Sequence, residues 1–235
     1  MKDVLVFLAG RLQTFLPLFV RIVAHPRINI LTLAQRPGAI ADALAFFAIC
    51  SAIGLVLQAP FLMERNEFTT AAGMLAIYKV MEVAIAAVAL VGVFRLLRGK
   101  GAYEPMLSAT FYIISPVYLF SVVMNLLING LLTGYDPALA VESRLTGELS
   151  DGTVQAMWAI DWRSAAAVMV ISFSTAAGIL AWVIICWPVY IRLNEFGRWR
   201  GIASCVLGLA ALYVVGELGL VLVSGLFPDG LGGAY

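Results

Sequence analysis

GMLAIYKVMEVAIAAVALVGVFRLL, residues Gly73 to Leu97, decides how this chain is read. The run exceeds the ~20 apolar residues that a helix rising ~1.5 Å per residue needs to cross a hydrocarbon core. One end carries Arg95, with Arg98 and Lys100 just beyond it. Several residues inside the other end stand Lys79 and Glu82, three apart and so neighbours on a helix. Charge at that depth is costly and usually faces protein or a wet cavity. Other helices are therefore expected to gather around the pair.

Composition agrees with a lipid solvent. Of 235 residues, 62% are hydrophobic and 12% charged, and mean hydropathy is +0.97. Soluble domains carry about 25% charge, so no aqueous fold could bury this much apolar surface. The pattern predicts an all-α, polytopic integral membrane protein. It has five transmembrane helices, over about 42–63, 73–97, 106–132, 164–191 and 202–227, plus an amino-terminal amphipathic interfacial helix. Residues 1–41 form the arm, 133–163 an extracytoplasmic loop and 228–235 a tail. Within the arm, residues 3–24 place Asp3, Gly10, Thr14 and Arg21 near one helical face, as in a helix lying along the interface; a sixth span is the alternative. Asp3 and Arg11 argue against a cleaved signal peptide. The segment 25–41 reads as a connector bent at Pro26 and at Pro37-Gly38.

Basic residues fix the expected sidedness. Arg95, Arg98, Lys100, Arg192, Arg198 and Arg200 fall in alternate loops, whereas the 64–70 and 133–163 loops are balanced or acidic. Basic loops stay cytoplasmic, so the amino terminus is expected inside and the carboxyl terminus outside. Trp158, Trp162 and Trp199 stand where indoles anchor helices at the interface. The turn RGKGAYEP (Arg98–Pro105) holds a lone GKG, which lacks the spacing of a phosphate loop and reads as a turn between spans.

Counting ~1.5 Å per residue puts Lys79, Glu82, Asn125 and Glu217 roughly 9–15 Å below the outer ends of their helices. Asn129 continues the stripe Tyr118, Ser121, Asn125 on the third span. This predicts a buried polar layer of Lys79, Glu82, Asn125, Asn129 and Glu217. It serves as interhelical glue, as an ion, proton or polar-substrate site, or as a contact for another subunit. His25 is the only histidine, and Cys50, Cys186 and Cys205 form no paired motif, so no catalytic residue, metal site or cofactor is expected. Net charge of +1 gives no nucleic-acid signal.

The stretch RLLRGKGAYEPMLSATFYIISPVYLF (Arg95–Phe120), a glycine-flanked basic turn leading into a span with an inner Ser-Pro, resembles the Yip family. These are five-span membrane proteins named for interacting with Ypt/Rab GTPases. The layout of cytoplasmic arm, close-spaced spans and short loops is similar too, most like a bacterial member. The resemblance implies a bacterial cytoplasmic (inner) membrane protein that organises membrane or associates with other membrane subunits or with itself, without chemistry of its own. The expected function is therefore a non-enzymatic scaffold or accessory subunit. The alternative is a small transporter or ion- or proton-conducting protein built on the polar layer.

Overall fold

A backbone in hydrocarbon must close its own hydrogen bonds, and among the described residues this chain does so with helices alone. The computed structural model describes residues 14–63, 68–132 and 162–226; side chains are described for all of these but 58–63, 68–80, 82, 129–132, 162, 164–165 and 216–226. The helices are α1, Thr14–Ala24; α2, Pro26–Ala34; α3, Ala39–Met63; α4, Phe68–Leu96; α5, Tyr103–Leu132; α6, Trp162–Leu193; and α7, Arg198–Leu226. Among the described residues, four are long and apolar enough to cross a membrane, over Ala39–Leu57, Tyr103–Ile128, Ala166–Leu193 and Arg198–Val215. The α4 backbone is helical for 29 residues, and its apolar described side chains cover Val83–Leu96.

Several helix limits differ from those expected, for local reasons. The connector 25–41 contains α2, because Pro26 occupies the first turn, where its missing N–H is no loss. The real bend is Pro37-Gly38, with Gly38 at φ 74°. Helix α5 begins at Tyr103 rather than Met106: its first turn holds Glu104, favourable beside the positive helix end, and tolerates Pro105. Helix α7 begins at Arg198 rather than Ile202, so Arg198, Trp199 and Arg200 stand on a helical turn instead of in a loop.

Helix α5 is the hub and packs against α2, α3, α4 and α6. It runs parallel to α3: Phe47 meets Phe111, Phe46 meets Tyr112, and Gly54 lies against Tyr118. It runs antiparallel to α6, where Trp182 meets Ile113 and Tyr190 meets Thr110. Helix α7 packs mainly on α4, less on α6, with Gly208 tucked against Trp187 and Leu90. The starts of α3, α5 and α7 and the ends of α4 and α6 therefore share one end of the bundle. That end carries the basic residues, as their alternation in sequence predicts.

Among the described side chains, packing is concentrated there. Phe94, Met106, Phe111, Tyr112, Cys186, Trp187 and Tyr190 are all buried. Farther along the same helices, large apolar side chains stand open: Met169, Val170 and Phe173 on α6, Val123 and Leu127 on α5, and Tyr213 on α7. Monomeric soluble proteins rarely leave such contiguous surface exposed; hydrocarbon makes it costless.

Pro116 lies inside α5 and Pro188 inside α6. A proline disturbs the ladder before it and leaves carbonyls needing other donors. In each case the carbonyl three residues upstream receives a side-chain donor from a neighbouring element. Trp182 Nε1 donates to the Ile113 carbonyl at 2.9 Å, and Arg27 Nε to the Ile185 carbonyl at 3.0 Å. Ser115, the residue before Pro116, donates instead to Phe111.

The tightest helix contact yields a test. A Cβ at Gly208 would enter the Trp187 ring, and overpacking of this kind costs about 1–3 kcal/mol. Gly208→Val should therefore lower the thermal midpoint of helix loss in detergent, whereas Gly92→Ala, facing open space, should leave it unchanged or slightly raised.

Candidate functional site

The loops at the basic end form one hydrogen-bonded unit. Helix α4 closes with Gly99 N–H donating to the Phe94 carbonyl at 2.7 Å and Arg98 N–H to Arg95 at 2.9 Å. Helix α6 closes the same way, with Phe196 N–H donating to Ile191 at 3.0 Å and Glu195 N–H to Arg192 at 3.3 Å. Both are Schellman turns, which need one residue in the left-handed region, usually glycine. Here Arg98 (φ 60°) and Glu195 (φ 53°) take that place, at a cost of about 1–2 kcal/mol each.

Asn194 joins the two turns. It is 3% exposed. Its Oδ1 accepts from Gly101 N–H at 3.2 Å, and its Nδ2 donates to the Tyr190 carbonyl at 3.0 Å and to Met106 Sδ at 3.6 Å. Its own carbonyl accepts from Lys100 N–H at 3.4 Å. The partners fix the amide orientation, since Gly101 N–H only donates and the Tyr190 carbonyl only accepts. Glycine is required on the facing loop by proximity. A Cβ at Gly99 would lie 2.5 Å from Asn194 Oδ1, and one at Gly101 2.7 Å from it. The GKG is thus a turn shaped to receive an asparagine.

Around this clasp the contacts are complementary. Arg95 folds back, Nη1 donating to the Gly99 carbonyl at 3.3 Å and Nη2 to the Gly101 carbonyl at 3.0 Å. Phe94 meets Trp187, Tyr190 and Phe196. Thr110 gives its proton to the Met106 carbonyl, so at 2.9 Å the Tyr190 hydroxyl is the donor to Thr110 Oγ1. Outside, Lys100 Nζ and Glu195 Oε2 pair at 2.9 Å with both side chains well exposed. Hydrogen bonding to Glu195, then its charge, holds the Lys100 ammonium above its ordinary 10.5.

The expected site residues separate as follows. Arg98, Lys100, Arg192, Arg198 and Arg200 line the solvent face of this end, and Trp199 is 80% exposed beside them; Arg95, also exposed, folds over the loop carbonyls as a brace. Asn125 is exposed on α5. The side chains of Lys79, Glu82, Asn129, Glu217 and Trp162 lie outside the described residues, as does Trp158 altogether, so the polar layer is not described. Among the described residues no group of three or more His, Cys, Asp or Glu side chains could hold a metal. Asn194 escaped sequence reasoning. A lone asparagine at a helix end reads as a turn residue, and nothing local pairs it with a loop some ninety positions earlier.

Asn194→Ala strips the acceptor from a buried N–H and should destabilise by about 1–3 kcal/mol, read as thermal unfolding in detergent. Lys100→Met removes only an exposed pair and should change little. The raised Lys100 value sets the sign: the pair's contribution is full below the ordinary lysine value and is lost as pH rises through the raised one. It should therefore be flat between pH 5 and 9. Arg98→Gly relieves the left-handed residue and should raise stability by about 1 kcal/mol.

No protein-family model matches the chain, and no curated protein or solved structure matches it either.

Proposed function

We propose that this chain is a five-span protein of a bacterial cytoplasmic membrane, with α4 as the fifth span, α1 along the interface, the basic end in the cytoplasm and the carboxyl terminus outside. It acts without chemistry of its own, as a scaffold or accessory subunit whose basic end binds other membrane-protein subunits or a second copy. One observation carries this reading. The basic end is held by the buried Asn194 clasp, and its two turns keep charged residues, Arg98 and Glu195, where glycine would be cheaper. Strained backbone tends to cluster where a surface is used. The resulting face presents Arg98, Lys100, Arg192, Arg198, Arg200 and the exposed Trp199 in fixed register. Arginine and tryptophan are the residues that most often anchor protein interfaces. The likeness to the Yip family supports the same role.

Two measurements test it. Cysteine placed at Lys100 or Arg200 should react with an impermeant maleimide only after the cytoplasmic face is opened. Cys50 and Cys186 are buried, and the half-buried Cys205 is replaced by serine in the labelled variants to keep background low. Labelling from outside would reverse the topology. Mild-detergent purification at native expression should yield a stoichiometric complex that is lost in Arg98→Ala/Arg198→Ala/Trp199→Ala. A monodisperse monomer, or Glu217-dependent ion flux in proteoliposomes, would contradict the scaffold reading.

A further inference from the structure

A cavity of about 470 Å³ opens between α1, the start of α3 and α5, within the range of small-ligand sites. Its lining is graded. Arg36 stands in the turn before α3 and Asp42 in the first turn of that helix, at the end of the bundle where headgroups lie. Arg21 of α1 completes this polar portion. Phe46 and Ile49 follow one and two turns deeper, about 6 and 10 Å farther along α3, joined by Phe15 and Leu18 of α1. Phe15 and Phe46 rings meet at 5.0 Å and Phe46 meets Tyr112 at 5.4 Å, so the deep wall is aromatic.

The charges are unbalanced. Two guanidinium groups and one carboxylate line the cavity, and among the described residues neither arginine has a side-chain hydrogen bond or ion pair. Arginine forks suit phosphate oxygens in bidentate geometry. A free phosphate would leave the aromatic depth unused, and a neutral lipid would leave the arginines without a counter-charge. An amphiphile with an anionic phosphate satisfies both parts at once.

We propose that this cavity binds one anionic phospholipid, its phosphate held by Arg21 and Arg36 and the top of an acyl chain lying against Phe15, Phe46 and Ile49. The site depends on membrane insertion and not on what the clasped basic end binds. It would also tie α1 to the turn that precedes α3, since the headgroup bridges Arg21 and Arg36.

The test uses the full chain in nanodiscs of equal phosphatidylglycerol and phosphatidylcholine, followed by transfer to mild detergent and native mass spectrometry. One phosphatidylglycerol should remain bound per chain. Arg21→Gln/Arg36→Gln should weaken its retention at least tenfold, whereas Arg198→Gln/Arg200→Gln, on the other basic surface, should change it less than twofold. Ala45→Phe, which narrows the cavity and keeps both arginines, should weaken it as well and serves if the double variant fails to fold. Millimolar inorganic phosphate should not displace the lipid. Equal retention of phosphatidylcholine, equal losses in the two arginine pairs, full retention in Ala45→Phe, or displacement by phosphate alone would each overturn the assignment.

Discussion

A single buried amide holds the basic end together. Asn194 sits where α6 runs out of backbone donors and where the loop leaving α4 passes close by. In an apolar setting an unpaired polar group is expensive, so the amide's donors and acceptor oxygen all find partners, on three different segments. The rest follows from proximity. Gly99 and Gly101 are glycine because the amide leaves no room for a side chain, and Arg95 can close over their carbonyls because the loop is so tight. The exposed Lys100–Glu195 pair decorates this arrangement and does not create it.

Fixing one end changes what the remaining helices must do. Near the clasp, aromatic rings from α3, α4, α5 and α6 interlock, and the prolines are tolerated because Trp182 and Arg27 serve carbonyls beside them. Farther away, α6 exposes Met169, Val170 and Phe173. A soluble bundle built this way would aggregate, whereas lipid meets such surfaces at no cost. The same chain thus has a rigid polar end and apolar shafts able to meet lipid or other helices. That division is what the proposed scaffold role needs, and the graded cavity beside α1 is what the proposed lipid would fill.

How far could the residues alone lead? Long apolar runs revealed the membrane helices, because hydrocarbon thickness sets their length. Alternation of Arg98–Lys100 with the acidic 133–163 segment revealed that both basic turns share one end. Helix α2 was less legible, since Pro26 signals a bend and a helix start equally well. The clasp was hidden altogether: it is a long-range contact between a glycine turn and one asparagine, with no periodicity to betray it. Arg98 and Glu195 were hidden too, because left-handed helix ends normally announce themselves by glycine. Lys79, Glu82 and Glu217, the most conspicuous charges in the sequence, belong to side chains outside the described residues.

Amide hydrogen exchange at Gly101, followed in the intact protein in nanodiscs, tests the clasp most directly. The account predicts protection comparable to the helical amides of α5 and α6, because that N–H is buried against Asn194 Oδ1. Exchange at the rate of an open loop would contradict it.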